Sequence, residues 1–141
     1  MSKERYEQGW KKLKEIHGKA GERVMESLEP VSPDFARYII EFAFGEIYSR
    51  PGLDLKSREI ATVAALTALG NAKPQLKAHI NGAMNVGCTR QEIIEIITQM
   101  AVYAGFPAAL RAMNTAKTVF QERDRKVRAG KGKRTRHNAT R

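Results

Sequence analysis

Two residues of types suited to acid–base chemistry, Glu46 and His79, occupy helical stripes that are otherwise apolar. Glu46 comes at the end of a stripe with i, i+4, i+7 and i+11 spacing, whose earlier members are Phe35, Ile39 and Phe42. We therefore expect its carboxylate to point toward a core. Burying a carboxylate is costly without a partner, so such a group is either half of an ion pair or a tuned functional acid.

His79 lies at the flank of a second apolar stripe, formed by Leu76, Ile80 and Ala83. A lone histidine at the rim of a core is more often a hydrogen-bonded structural group, although its chemistry suits it to proton transfer near neutral pH. Because a buried carboxylate needs a partner nearby, we predict that Glu46 and His79 act as one unit across two helices.

Other charged residues have simpler explanations. Glu41 falls on the polar side of the same helix as Glu46 and is expected to be solvated. Arg58 and Glu59 are the last charges before a nearly apolar run at residues 60–69. Taken alone, they are expected to solvate a helix end, where the helix dipole also favours Glu59.

The remaining histidines and the single cysteine give no sign of a metal or disulfide. His17 lies at a frayed helix end and His137 in a basic segment, and neither has a partner at metal-ligand spacing, so no metal site is predicted. With Cys88 as its only cysteine, the chain contains no internal disulfide or paired-thiol redox centre. Cys88 precedes a helix start, which can activate a thiol, but a small residue in a tight turn explains it equally well.

The first residues lack the continuous apolar segment of a signal peptide. The longest apolar run, residues 60–69, has about half the length that a membrane-spanning helix needs. These features predict a cytoplasmic protein without a membrane partner.

Positive charge is concentrated at the C-terminal end. Residues 123–141 contain nine of the 25 Lys and Arg residues and one acidic residue, so they supply most of the formal net charge of +10. Dense like charge with Gly130 and Gly132 predicts a disordered basic tail at 123–141, after a single domain at 1–122. The nearly neutral domain gives no sign of a nucleic-acid footprint.

The elements that would position these side chains are helices. Helical spacing recurs and no stretch alternates like a strand, which predicts an all-α fold of about six helices. Start signals are Ser32–Pro33, Asp54, Pro74, a Thr89–Glu92 capping box and Pro107, and stop signals are Gly18, Gly70, Gly87 and Gly105. Residues 60–69 are apolar all round and must be buried, yet so small a body can hardly cover them. We therefore predict a homo-oligomer.

Three segments together resemble the carboxymuconolactone decarboxylase family: EFAFGEIYSRPGL at 41–53, residues 58–87 with HINGA at 79–83, and residues 92–109 with YAGFP at 103–107. The match covers roughly residues 30–120. The resemblance implies an all-helical fold of the alkyl hydroperoxidase D type, assembled as trimers or hexamers. The thiol branch of that superfamily has a CxxC pair shortly before the histidine. Here residues 72–75 read AKPQ, which argues against a disulfide-based peroxidase.

The resemblance also implies a carboxy-lyase that acts on a carboxylated unsaturated lactone in aromatic-compound catabolism, with no metal or organic cofactor. Such an enzyme must stabilise the dienolate left by loss of CO₂ and deliver a proton to carbon. On the matching positions, Arg58 would bind a substrate carboxylate bidentately, and His79 would stabilise the oxyanion or supply the proton. Glu46 would orient or tune His79, and the reverse assignment of these two roles fits the sequence equally well.

A function of another class is a non-catalytic oligomeric binding protein whose basic tail contacts nucleic acid or another acidic partner. The tail contains no aromatic residue, which favours attraction to phosphates over stacking on bases. A tail that only keeps the protein in solution explains the same residues.

Overall fold

The computed structural model describes residues 2–138, and side chains as far as residue 136. In this part of the chain there are six α-helices, one π-helical segment and no β-strand. The elements are α1 Lys3–Leu28, α2 Pro33–Tyr38, the π-helical segment Ile39–Ile47, α3 Leu55–Leu69, α4 Lys73–Asn85, α5 Arg90–Ala104 and α6 Phe106–Asn138. The predicted all-α fold of about six helices is confirmed. None of these described helices has the length and apolar character needed to cross a bilayer.

Side-chain caps form at three of the five predicted helix starts. The Ser32 hydroxyl accepts from the Phe35 amide ahead of α2, and the Asp54 carboxylate accepts from the Ser57 amide at the start of α3. Thr89 and Glu92 form both hydrogen bonds of a capping box at α5. Each cap pairs an amide that the first helical turn would otherwise leave unpaired, which fixes where the helix begins.

Gly18 interrupts α1 as predicted, but as a kink within one long element. Its φ of 56° and ψ of −143° are non-helical, and the helix then resumes and continues to Leu28. Just before the kink, the Ile16 carbonyl accepts a hydrogen bond from Asn85 of α4, at 2.8 Å. The kink therefore lies where α1 is attached to α4.

Two apolar clusters form the core. One is shared by α3, α4, α5 and α6, and its fully buried members include Val63, Ile80, Ile93, Ile97 and Val119. The other joins α1, α2 and the π-helical segment through Leu13, Ile16, Met25, Ala36, Ile40 and Phe44. Since α1 also packs against α4, the two clusters meet along that contact.

The apolar helix α3 is only partly covered within one chain. Val63 and Thr67 are buried, whereas Ala61, Ala65 and Leu69 are exposed. The exposed face is consistent with the expected self-association, which stays a prediction.

The C-terminal segment differs from the sequence-based prediction, which made residues 123–141 disordered. Helix α6 continues through Asn138, and residues 139–141 lie outside the described residues. Arg123 donates to Asn81 and Asn85 of α4, which anchors the start of this segment. Beyond it, residues 125–136 are all exposed. Lys and Arg are good helix formers, so the helix can continue without packing. The domain boundary itself stays a prediction.

Deleting residues 127–141 should change the free energy of unfolding by less than about 0.5 kcal/mol, because it removes no packed side chain of the described part. Urea denaturation of the full-length and truncated chains at equal concentration measures this. A loss of 2 kcal/mol or so would mean that the exposed end of α6 stabilises the body.

Candidate active site

The centre of the site is a hydrogen bond between His79 of α4 and Glu59 of α3. Nδ1 of His79 lies 2.9 Å from Oε2 of Glu59, and the two side chains are 21% and 0% exposed. A buried carboxylate on one ring nitrogen fixes the orientation of the imidazole. The other ring nitrogen, Nε2, is not used in this bond and remains for contact with a reacting molecule.

Helix α3 carries Glu59 on its inner face. The Asp54 cap starts the helix one turn earlier, and Glu59, Val63 and Thr67 follow at intervals of four residues and are all buried. The second carboxylate oxygen of Glu59, Oε1, is buried with no hydrogen-bond partner among the described residues. Unpaired buried polar atoms are rare and costly, and they occur at sites where a ligand or water binds.

A second imidazole, His17 of α1, packs edge-on against His79. The ring centroids are 4.8 Å apart with an interplanar angle of 86°. Burial, followed by the nearby positive charge of His79, lowers the pKa of His17 from its usual 6.5 to about 4. His17 is therefore neutral at physiological pH.

Tyr48 and Phe44 form an aromatic wall beside these groups. The ring of Phe44 contacts the rings of both His17 and Tyr48, with centroids 5.8 Å and 5.4 Å away. The Tyr48 hydroxyl lies 2.6 Å from Oγ1 of Thr62. Because the Thr62 hydroxyl donates its one proton to the carbonyl of Arg58, Tyr48 is the donor in the Tyr48–Thr62 hydrogen bond. Burial raises the pKa of Tyr48 to about 12, which keeps the phenol protonated.

His17, Glu59 and His79 also have the composition of a metal site with two histidines and one carboxylate. Their ligand atoms all lie within 4.8 Å of one another. The expectation of no metal site rested on the spacing of possible ligands along the sequence. That spacing could not reveal a cluster whose members come from three different helices. A first-row metal binds nitrogen and oxygen at about 2.0–2.2 Å, so it would have to draw the groups together and break the His79–Glu59 hydrogen bond. As it stands, the arrangement is that of an acid–base pair.

Glu46 forms an ion pair with Arg5 and not with His79, so the expected contact between Glu46 and His79 is not formed, and a role for Glu46 in the reaction stays a prediction. The Glu46 carboxylate lies 3.1 Å from Nη2 of Arg5 and is 38% exposed. Phe35 and Phe42, from the stripe that was expected to be buried, are exposed as well. The partner that His79 needs is supplied by α3 instead.

The expected stripe is already out of phase in α2, where Phe35 is exposed and Ala36 is buried, and the π-helical segment changes the phase further. A π-helix bonds each residue to the fifth along the chain, so side chains spaced for an α-helix no longer share a face. Within the segment Ile40, Glu41 and Phe44 are buried. Glu41, which was expected to be solvated, has an oxygen, Oε2, with no hydrogen-bond partner among the described residues.

Arg58 has structural contacts. Its Nε donates to the carbonyl of Leu53 and its Nη2 to the carbonyl of Arg50, both at 3.1 Å. These bonds hold the loop between the π-helical segment and α3, and they occupy donors that a bidentate carboxylate would use. A role for Arg58 in substrate binding stays a prediction.

A helical domain with a buried carboxylate bonded to a partly exposed histidine is organised for proton transfer. The family model of the carboxymuconolactone decarboxylase family matches residues 33–118, and the chain belongs to this family.

Its relatives include proteins named as decarboxylases. A 4-carboxymuconolactone decarboxylase of Acinetobacter baylyi is 39% identical over 120 residues, covering 84% of this chain and 89% of the relative. A nitrosuccinic acid decarboxylase of Metarhizium robertsii is 34% identical over 116 residues, covering 81% and 80%. An uncharacterised 15.0 kDa protein of Paracoccus denitrificans is 37% identical over 101 residues, covering 71% and 75%.

The lowered pKa of His17 predicts a pH-dependent stability. Between about 6.5 and about 4 the unfolded chain takes up a proton on His17 that the folded chain does not. The free energy of unfolding should therefore fall as the pH is lowered through this range, with a contribution of at most about 1.4 kcal/mol per pH unit. Urea denaturation at several pH values should show a smaller slope for His17→Phe than for the wild type. Equal slopes would contradict the assignment.

Proposed function

We propose that this protein is a cofactor-independent decarboxylase of the 4-carboxymuconolactone type, acting on a carboxylated unsaturated lactone in aromatic-compound catabolism. The observation that carries the proposal is the hydrogen bond between His79 and the buried Glu59. The relative named as a 4-carboxymuconolactone decarboxylase, similar over most of both chains, supports the choice of reaction.

The proposed reaction breaks one C–C bond and forms one C–H bond. As CO₂ leaves, its bonding electrons flow through the C=C bond into the lactone carbonyl and give a dienolate. His79 then delivers a proton from Nε2 to carbon, and the neutral imidazole recovers a proton from water. Glu59 holds the ring and stabilises the positive charge that it carries before the transfer. The orienting role first predicted for Glu46 thus belongs to Glu59.

The same groups would serve other acids that lose CO₂ beside an electron sink. In nitrosuccinic acid, the substrate in the name of the second relative, a nitro group can accept the electrons that the lactone carbonyl accepts in carboxymuconolactone. Either carbanion must then be protonated. Purified protein should be mixed with each substrate, and loss of substrate and release of CO₂ should be followed. We expect turnover of carboxymuconolactone to the enol-lactone. Lack of turnover of both substrates would argue against the decarboxylase proposal.

His79→Asn and Glu59→Gln should each lower kcat by on the order of 10²-fold or more, because one removes proton transfer and the other removes the charge behind it. The double variant should be little worse than either single one, since the two groups act as a unit. Both substitutions roughly preserve side-chain shape. The measurement is steady-state kinetics on the substrate turned over.

Glu46→Gln is the matched control for Glu59→Gln. It makes the same chemical change at the half-exposed carboxylate that pairs with Arg5. Near-wild-type kcat is expected. If Glu46→Gln lost as much activity as Glu59→Gln, the first assignment of Glu46 would be restored.

We also propose that the chain forms a homotrimer or homohexamer. Two separate apolar surfaces support this: one at the α5–α6 junction, where Tyr103 and Phe106 are 79% and 80% exposed, and one with Phe35 and Phe42 near α2. A closed ring needs two different surfaces on each subunit, because its contacts are head-to-tail. The family resemblance points to the same assembly.

Sedimentation equilibrium at micromolar concentration should give a trimer or larger species. Phe106→Ser and Phe42→Ser should each shift the protein toward monomer, because each removes an apolar side chain from one surface. Val127→Ser, at an exposed position near the far end of α6, is the control. A wild-type monomer would contradict the proposed assembly.

The non-catalytic alternative rests on the exposed basic end of α6, at residues 125–136. Salt-sensitive binding of duplex DNA by the full-length chain, together with no turnover of either substrate, would favour it.

The cytoplasmic location stays a prediction, and the one cysteine, Cys88, is a free and buried thiol that fits a reducing compartment.

A further inference from the structure

We propose that His17 is a positioning residue for the reaction at His79, holding the His79 ring in the orientation that proton delivery requires. The inference rests on the proposed decarboxylase function, and one arm of its test is independent of that function. His17 would act through His79 and would not touch the substrate.

The contacts of His17 involve both the ring and the backbone of the α4 segment that carries His79. Its ring packs edge-to-face on the His79 ring, with centroids 4.8 Å apart. It also lies against the backbone of α4 at Gly82, where an added Cβ atom would come within 3.1 Å of Nδ1 of His17. Together with the Glu59 carboxylate at Nδ1, these contacts restrict rotation of the His79 side chain.

The helices are shaped to allow this approach. A Cβ atom on Gly82 of α4 would lie 2.9 Å from Cε1 of His17 and 2.9 Å from Cγ2 of Ile16, so a larger residue would displace α1 at this point. Asn85, three residues further along α4, binds the Ile16 carbonyl and accepts hydrogen bonds from Arg123 of α6. Helix α4, itself bonded to α6, thus fixes the part of α1 that contains His17.

His17 is also chemically suited to this role. It stays neutral at physiological pH, so it places no second positive charge beside His79 when that ring carries the proton. His17 lies outside residues 33–118, the segment that the family model matches. The residue is therefore an addition from α1 to a site whose other members, Glu59 and His79, belong to the matched segment.

His17→Ala should lower kcat by on the order of 10- to 100-fold, because a small misplacement of a reacting group is costly, while KM changes by less than about twofold. His17→Phe, which keeps a neutral ring against the His79 ring, should recover part of the loss. In a His79→Asn background, His17→Ala should have no further effect on kcat. Additive losses would mean that His17 acts separately from His79.

Leu13→Ala is the control for simple loss of packing. Leu13 is buried in the apolar cluster of α1, one helical turn before His17. It should lower the Tm at least as much as His17→Ala while kcat stays near wild type. If both variants lost activity in proportion to stability, the role of His17 would be structural only.

The independent arm uses nitrogen NMR of the histidine side chains, which reports the protonation and tautomer of each ring without any substrate. In the wild type, the His79 signals should fit one ring state with Nδ1 bonded to a carboxylate. In His17→Ala they should shift toward an average of states, whereas Leu13→Ala should leave them unchanged. Unchanged His79 signals in His17→Ala would overturn the inference, even in a protein that turns over neither substrate.

Discussion

The fully buried carboxylate of Glu59 is the constraint on which the site depends. A charge in the interior is destabilising unless a partner and hydrogen bonds offset its loss of water. One oxygen is paired with His79, and the other has no partner in the described part of the chain. The position of α4 relative to α3 is therefore tied to the geometry of one hydrogen bond. The same bond partly offsets the cost of the buried charge and fixes the orientation of the His79 ring.

A second constraint is the close packing of α1 on the rest of the molecule. A Cβ atom on Gly9 would lie only 1.9 Å from the carbonyl oxygen of Ile40, so the backbones of α1 and the π-helical segment are in direct contact. This contact, with the Asn85–Ile16 bond on the other side, fixes the depth and rotation of α1. His17 contacts His79 because α1 is held by the π-helical segment on one side and by α4 on the other. In the aromatic wall, Phe44 belongs to the same π-helical segment and Tyr48 directly follows it.

The surfaces that the chain leaves exposed are as informative as its core. Apolar side chains at the α5–α6 junction and near α2 resemble interface residues more than ordinary surface ones, because they are large and grouped. The basic end of α6 has the opposite character, because the side chains of residues 125–136 are exposed and mostly charged. Packing therefore determines the structure of the helical body, whereas helix propensity and charge determine that of the basic end of α6.

Local chemistry made the helices predictable from sequence. Caps such as Ser32 and Asp54, and the break at Gly18, act through their immediate neighbours, so their positions follow from the residues themselves. His79 was identifiable because it lies at the edge of an apolar stripe. Glu59 carried a signal as well: it continues the spacing of Val63 and Thr67 in a run of apolar residues, which already indicates burial.

The partner of each charged group was decided by the tertiary structure. Glu46 and Glu41 exchanged their expected environments for two reasons: Ala36, rather than Phe35, faces the core in α2, and hydrogen bonding in residues 39–47 then follows the π pattern. No feature of the sequence indicated that His17 belongs to the site, because its contacts depend on how α1 packs against α4. The amino-acid order alone was enough to predict which segments are helices and which side chains are suited to acid–base chemistry. Only the packing of those helices decided that His79 meets Glu59 and His17, because contacts between residues far apart in sequence depend on the rotation and depth of whole helices.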